Sequence, residues 1–405
     1  MEFTLRRFLK ISLFNLLIVA SIGLVLRYKI LYSLPFVDQK HLLHGHSHFA
    51  FAGWIAHTLM VLLIAFLSKQ TKNDEFIKYK FVIILNLFSA YGMLFSFPVQ
   101  GYGLVSISFS TLSVFTFYFF TVKIWKDFNK ISDDIIPIYW FKVALLFGVI
   151  SSFGTFGLAY MMANKIIHQN FYIAAVYFYL HFQYNGFFFF SCMGLFHSFL
   201  PNEIKSSKEF KVVFWLFTFA VVPAYFLSTL WMNLPSWVFV IVVLASFLQL
   251  IAWIYFLMVL YQHRKLLSQQ INVVGKWLMA LSAMAATVKL FLQLGSTIPS
   301  LSQLAFGFRP IVIAYLHLVL LGVITLFLLA TVFLENNLSL KRTTKIGLFI
   351  FVSGVFLNEF ILMIQGVASF SYNSIPFVNE FLLLIAGTMV SGILIMVISQ
   401  LKKTI

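Results

Sequence analysis

Charged residues and cysteine are scarce in this chain of 405 residues. Only 10% of the residues are charged while 61% are hydrophobic, so a soluble protein of this length would have too little polar material to cover its surface. Acidic residues are the scarcest charged class, with 12 Asp and Glu against 28 Lys and Arg. The single cysteine, Cys192, excludes an intramolecular disulfide. The composition therefore predicts a polytopic membrane protein embedded in a lipid bilayer.

Long apolar runs lie between the few charges, and each is close to the roughly 20 residues that cross about 30 Å of hydrocarbon. Dividing the sequence at its charged and Pro- or Gly-containing breaks predicts an all-α bundle of about twelve spans, forming a single transmembrane domain over residues 1–405. The predicted spans are 8–30, 43–67, 79–99, 102–122, 138–162, 168–200, 211–232, 236–261, 275–295, 310–335, 344–368 and 376–400.

The basic residues provide an independent test of this division. With the N-terminus in the cytoplasm, all but six of the 28 Lys and Arg residues fall in inner segments. The six exceptions are Arg27, Lys29, Lys40, Lys165, Arg309 and Lys289. The positive-inside rule thus predicts cytoplasmic N and C termini, and this explains the basic charge without nucleic acid as a partner. The abundance of Lys, Ile, Asn and Phe is typical of a genome of low GC content and indicates a bacterial origin. The expected location is therefore the bacterial inner (plasma) membrane.

Histidine is the residue type that stands out in such a sequence. Seven of the ten histidines lie in the apolar stretches: His44, His46, His48, His57, His181, His197 and His317. An imidazole in hydrocarbon is costly unless it is paired, hydrated or bound, so this set predicts a functional site. His44 and His48 share one helical face with His41, whereas His46 points roughly the opposite way.

Other polar residues lie at a depth in the membrane comparable to that of these histidines. Near the middle of the sixth span, His181 is followed by Gln183, Tyr184 and Asn185, and His181 and Asn185 share a face at i, i+4 spacing. This polar turn either binds a metal, forms a proton path, or is satisfied by its own hydrogen bonds. Lys289 lies near the outer end of the ninth span, where Glu359 is the expected partner in a proton-transfer element or a structural ion pair.

The placement of these histidines resembles that of the catalytic subunit I of the heme-copper oxidase superfamily, which includes nitric oxide reductases. The run His46-Ser-His48 through Trp54 is similar in style to the His-rich, Gly-Trp helix starts of that family. The run from His181 to Gly186 resembles the family's His-x-x-x-Glu-Gly segment with Asn185 in place of the glutamate. Tyr315-Leu-His317 resembles the paired His-x-His of span ten, with Tyr315 replacing the first histidine.

The resemblance implies a low-spin b-type heme. Its ligands would be His317 and one of His44, His46 and His48, with Arg309 and Lys40 as the candidate partners of its propionates. In the family, spans six, seven and ten also supply ligands to a high-spin heme and a neighbouring metal. Here His181 is the remaining metal-ligand candidate, and Tyr315 is a candidate phenolate ligand. No histidine lies between Lys211 and Gln262, so copper or non-heme iron is not expected to bind in the family manner.

Three functions remain open from the sequence. The first is a redox membrane protein of the respiratory-chain type, resembling cytochrome c oxidase or nitric oxide reductase subunit I and served by an electron donor or accessory membrane subunits. The second is a proton- or metal-coupled transporter that uses the histidines and Lys289. The third is a non-catalytic scaffold or sensor that keeps the oxidase fold. Whether the protein is an enzyme depends on which metal ligands are in place.

Overall fold

The computed structural model describes residues 2–131, 136–205, 207–334, 337–370 and 373–401. Within these ranges every regular element is helical and there is no strand. In a helix the backbone N–H and C=O groups bond to each other, and this is required in hydrocarbon because lipid tails offer no hydrogen-bond partners. The all-α prediction is confirmed.

The helices of the first half of the chain are α1 (Glu2–Leu31), α2 (Gln39–Phe49), α3 (His57–Thr71), α4 (Phe76–Gln100), α5 (Leu104–Phe128), α6 (Ile136–Ala163), α7 (Gln169–His181), α8 (Phe189–Ser198) and α9 (Asn202–Lys205). Those of the second half are α10 (Lys208–Val221), α11 (Ser236–Gln262), α12 (Arg264–Gln270), α13 (Val273–Gly295), α14 (Pro299–Gly307), α15 (Arg309–His317), α16 (Leu326–Val332), α17 (Arg342–Phe370) and α18 (Val378–Leu401). Three π-helical segments, Ala50–Ala56, Phe182–Phe188 and Leu318–Thr325, and one 3-10 segment, Pro223–Thr229, connect neighbouring helices.

Length and apolar composition identify the helices that can cross a membrane. Among the described residues there are ten, or eleven if α10 and the 3-10 segment, which are bent by 44° at their junction, count as one span. Pro223 accounts for the bend, because proline has no N–H and ends α-helical pairing. The multi-pass membrane character is confirmed, whereas the count of twelve and the cytoplasmic termini stay predictions.

The chain divides into two compact units. The first comprises Met1–Ile131 and Leu328–Ile405, and the second comprises Ser132–Phe327. The single transmembrane domain over residues 1–405 therefore stays a prediction, and each unit is described by itself.

In the first unit, α1 packs against α18, α17 pairs with α18, and α2 packs against α4. Every residue from His57 to Ser68 in α3 is buried, as expected for a helix that is apolar all round and enclosed by neighbours. At the start of α2, Asp38 Oδ1 accepts the His41 backbone N–H at 2.8 Å. This hydrogen bond holds the pKa of the Asp38 carboxyl below its usual value, and it fixes where the histidine-bearing helix begins.

In the second unit, α6 packs against α7 and α8, α10 pairs with α11, and α11 packs against α13. A Cβ at Gly154 of α6 would lie 2.5 Å from the Ala175 carbonyl oxygen of α7. Such close backbone contact at a small residue is typical of helix pairs in membranes, where dispersion forces drive association.

Glycine also sets the crossing of α17 and α18 in the first unit. A Cβ at Gly392 would lie 2.6 Å from the Phe351 backbone nitrogen and 2.7 Å from the Gly347 carbonyl oxygen. At Gly387, on the same helix, a Cβ would meet nothing within 4 Å. The two glycines therefore form a matched pair of positions.

We expect Gly392→Ala to destabilise the protein by about 1–3 kcal/mol, since the methyl group forces the two backbones apart. Gly387→Ala should be neutral or slightly stabilising, because alanine favours the helix by up to about 1 kcal/mol. Thermal unfolding of both variants in the same detergent measures the difference. Equal melting temperatures would show that the α17–α18 crossing is not held by close backbone contact.

Candidate functional site

Three helices that carry predicted site histidines share a local irregularity. In the part of the chain that the structure describes, π-helical geometry occurs in three segments. Phe182–Phe188 begins directly after His181, Leu318–Thr325 begins directly after His317, and Ala50–Ala56 begins two residues after His48. Since π segments account for well under 1% of residues in proteins and are frequent at functional sites, their placement after these histidines marks a candidate site in each unit.

Buried polar side chains hold two of these segments in place. Asn15 of α1 donates to the Gly53 carbonyl at 2.6 Å, and Asn86 of α4 donates to the Ala52 carbonyl at 3.2 Å. In the second unit, Ser282 of α13 donates to the Val323 carbonyl at 2.7 Å. Carbonyl groups in hydrocarbon need a donor, so these side chains support the altered helical turns.

Sequence reasoning missed Asn15, Asn86 and Ser282. Asn15 and Asn86 stand alone in apolar runs, and a lone asparagine in a predicted span was the available signal. Tyr91 completes the first set by donating its hydroxyl to Asn15 Oδ1 at 2.7 Å. Together these residues fix α1 and α4 against the π segment of the second predicted span.

In the first unit, the histidines of α2 point to two sides. The His48 ring stacks on Phe97 with 4.3 Å between centroids, and its Nε2 lies 3.3 Å from the Tyr102 hydroxyl. The His44 ring meets Tyr102 edge-on at 4.7 Å, and its buried Nε2 has no hydrogen-bond partner.

His46 lies on the other side of α2. A Cβ on Gly23 of α1 would be 3.4 Å from its ring, which places His46 against α1 rather than beside Phe97 and Tyr102. The opposed faces predicted from the i, i+3, i+7 spacing are therefore present. His44 and His48 on one side and His46 on the other cannot all serve one ligand.

Both ring nitrogens of His181 have partners in the second unit. Nε2 donates to the Val221 carbonyl at 2.8 Å, and Asn185 Nδ2 donates to Nδ1 at 3.1 Å. Val221 is the last residue of α10, and after it the chain turns to 3-10 pairing, in which the Tyr225 N–H bonds the Val222 carbonyl instead. His181 thus caps the carbonyl that the Pro223 bend leaves without its α-helical donor.

The remaining side chains of this polar turn also have local contacts. Gln183 Nε2 donates to Ser151 Oγ on α6 at 2.9 Å. The rings of Tyr184 and Tyr315 meet edge-on with 6.3 Å between centroids, which brings the polar turn beside the helix that carries His317. A metal at His181 would have to displace one of its two hydrogen-bond partners. A metal site or a proton path at this polar turn stays a prediction.

A backbone hydrogen bond orients the His317 ring. Its Nδ1 lies 2.8 Å from the Ile313 carbonyl oxygen, one turn earlier on α15. A carbonyl only accepts, so Nδ1 carries the proton and the lone pair of the neutral ring lies on Nε2. A backbone carbonyl on Nδ1–H is a common way for proteins to orient a ligating imidazole.

Lys289 and Glu359 lie in different units. Lys289 is 7% exposed, and its Nζ lies 5.7 Å from the centroid of the Phe189 ring. Glu359 accepts a hydrogen bond from Asn358 Nδ2 at 3.0 Å. Their ion pair stays a prediction. Arg309 begins α15, but its side chain lies outside the part that the structure describes.

Two histidines left out of the predicted site are deeply buried. His197 donates Nδ1–H to the Met193 carbonyl at 2.8 Å and stacks on Trp140. His57 directly follows the first π segment, is 0% exposed, and its ring meets the Phe8 ring edge-on with 6.3 Å between centroids. Each of these two imidazoles is thus enclosed by aromatic neighbours of its own unit.

No group of three or more His, Cys, Asp and Glu side chains in the described ranges is arranged to hold a metal ion. Comparison of the chain with protein-family models gave no match, and neither did comparison with curated proteins. Any function must therefore be argued from the residues of the chain itself.

We expect His181→Phe to destabilise the second unit by about 1–3 kcal/mol, because the Val221 carbonyl loses its donor inside a dry bundle. His168→Phe is the matched control, since His168 is exposed at the start of α7. Melting temperatures in detergent report the difference.

A second measurement tests the cause. In a Pro223→Ala background α10 can continue, and the Tyr225 N–H can then reach the Val221 carbonyl. The cost of His181→Phe should fall in that background. An undiminished cost would show that capping of Val221 is not the role of His181.

For Lys289 we expect Lys289→Met to destabilise the protein by about 3–5 kcal/mol through an unpaired Glu359. Adding Glu359→Gln should restore most of the loss, and a double-mutant cycle on melting temperatures measures the coupling. Additive losses would rule out the pairing.

Proposed function

We propose that this chain is an integral membrane redox protein that binds a low-spin b-type heme through His317 and one histidine of α2. The observation that carries the proposal is the placement of π segments directly after His317 and close behind His44, His46 and His48. A π turn is a local distortion that persists where it serves a site.

Each unit, taken separately, has a histidine that would hold the heme. In the second unit, the Ile313 carbonyl fixes the His317 tautomer that offers Nε2 to iron. In the first unit, His44 has a buried Nε2 without a hydrogen-bond partner, whereas the Nε2 of His48 lies beside the Tyr102 hydroxyl. This ranks His44 ahead of His48, with His46 as the candidate on the opposite face.

When bound, the heme would supply one-electron redox chemistry. The chain would hold the two imidazoles, keep water away from them with an apolar surround, and offer Arg309 to a propionate. Electrons would come from a donor protein or an accessory membrane subunit. The expected location is the bacterial inner membrane.

We further propose electron transfer rather than reduction of oxygen or nitric oxide. The family's three-histidine copper site takes one imidazole from span six and an adjacent pair from span seven, and the chain has no histidine between Lys211 and Gln262. His181 is already hydrogen-bonded at both nitrogens. The protein therefore has too few donors in place for the family's second metal.

The bend at Pro223 is the one observation that favours a transporter, because discontinuous helices form the ion and substrate sites of many transporters. In those sites the freed carbonyls face a cavity. Here the Val221 carbonyl accepts a hydrogen bond from His181. The carbonyl at this bend is therefore used within the protein rather than presented to an ion or substrate.

The test is the heme content of purified variants. We expect the wild-type protein, expressed with ample heme, to show sharp α and β bands in the dithionite-reduced minus oxidised spectrum and one heme per chain in a pyridine hemochrome assay. His317→Ala should remove the bands, whereas His263→Ala, near the end of α11, should keep them. His44→Ala, His46→Ala and His48→Ala identify the second ligand.

His317→Met separates ligation from folding, since methionine can replace an axial histidine and raises the potential. A retained low-spin heme with a higher midpoint potential supports ligation. Equal heme content in His317→Ala and His263→Ala would contradict the assignment. A wild-type protein without heme would favour the transporter or scaffold function.

A further inference from the structure

A cavity of about 500 Å³ lies within the second unit. It is bounded by α8, α11 and α13 and by the helix that continues past Val323, and it lies apart from His181 and His317. Its walls are mainly aromatic and aliphatic, and the aromatic side chains are Phe189, Phe196, Trp253, Phe256 and Phe327. This volume is in the range of small-molecule sites.

Small residues on α13 create the cavity. Ala280, Ala283 and Ala286 recur at three-residue intervals and line it together, so they form a low ridge along one side of the helix. On α11, Leu257 and Leu260 contribute to the lining. The groove therefore runs along the helices rather than across them.

The length of the groove matches the thickness of one leaflet of a bilayer. From Lys276 to Ala286 the lining follows α13 for ten residues, which is about 15 Å at 1.5 Å per residue. Half of a hydrocarbon core of about 30 Å is the same length. A groove that starts at a membrane surface and ends near the midplane fits a single extended acyl chain.

The charges lie at one end. Arg264, at the start of α12, and Lys276, in the first turn of α13, are the charged residues of the lining, and no acidic residue is among them. The Arg264 guanidinium lies 4.3 Å from the centroid of the Tyr261 ring and donates to the Tyr261 carbonyl. A guanidinium and an ammonium at the mouth of an apolar groove are complementary to a phosphate that carries an acyl tail.

We propose that this groove binds an anionic glycerophospholipid, with an acyl chain along Ala280, Ala283 and Ala286 and its phosphate between Arg264 and Lys276. The positive-inside orientation assigns it to the cytoplasmic leaflet, where anionic headgroups attract basic residues. The site does not depend on heme binding.

The test is native mass spectrometry of the full chain in detergent with dioleoylphosphatidylglycerol or dioleoylphosphatidylcholine, which share the same acyl chains. We expect the wild-type protein to retain phosphatidylglycerol preferentially. Ala283→Trp should reduce retention about tenfold, a change that corresponds to about 1.4 kcal/mol. Met284→Trp is the matched control, because Met284 is 51% exposed on the same helix and does not line the groove.

The headgroup is tested by Arg264→Gln and Lys276→Gln, which each remove one charge at the end of the groove and leave its apolar walls unchanged. Each should lower the preference for phosphatidylglycerol about fivefold, whereas Lys265→Gln, beside Arg264 but outside the lining, should not. Equal retention of the two lipids by the wild-type protein would overturn the proposal. So would unchanged retention in the two charge variants, or displacement of both lipids by a neutral isoprenoid quinone.

Discussion

A backbone carbonyl inside hydrocarbon must be given a hydrogen-bond donor, and much of this structure follows from that requirement. In the regular helices the backbone supplies the donor four residues later. At three places where the helices depart from α geometry, a buried side chain supplies it. Asn15 and Asn86 do so for the first π segment, Ser282 for the third, and His181 for the end of α10. These four polar residues thus complete irregular backbone.

This pairing of irregular backbone and polar side chain gives the histidines different roles. His181 is used to complete the backbone, since both of its nitrogens are held within the second unit. In His317 the Nδ1–H donates within its own helix, to the Ile313 carbonyl one turn earlier. Two histidines that look equivalent in the sequence therefore differ in which backbone carbonyl they support.

The sequence predicted the helical class and most of the span positions because apolar length alone decides them. The second span was expected over 43–67, and its helices run from Gln39 to Thr71. The opposed faces of His44 and His46 also followed, since α2 keeps regular spacing up to Phe49. The π segments did not follow, because a run that is apolar on all sides has no periodicity from which a changed helical turn could be detected.

The role of His181 could not be predicted for a different reason. Its partner is a backbone carbonyl 40 residues away in sequence, exposed only because Pro223 ends α10. Resemblance to oxidase sequences directs attention to a metal at this position, but the hydrogen-bonding inventory of the folded chain favours a cap. An imidazole has only two nitrogens, and in His181 one donates to the Val221 carbonyl while the other accepts from the Asn185 side chain, so no lone pair is left for a metal. The bend at Pro223 thus engages His181 as a cap, and a capped His181 supports the proposal of electron transfer without a second metal centre.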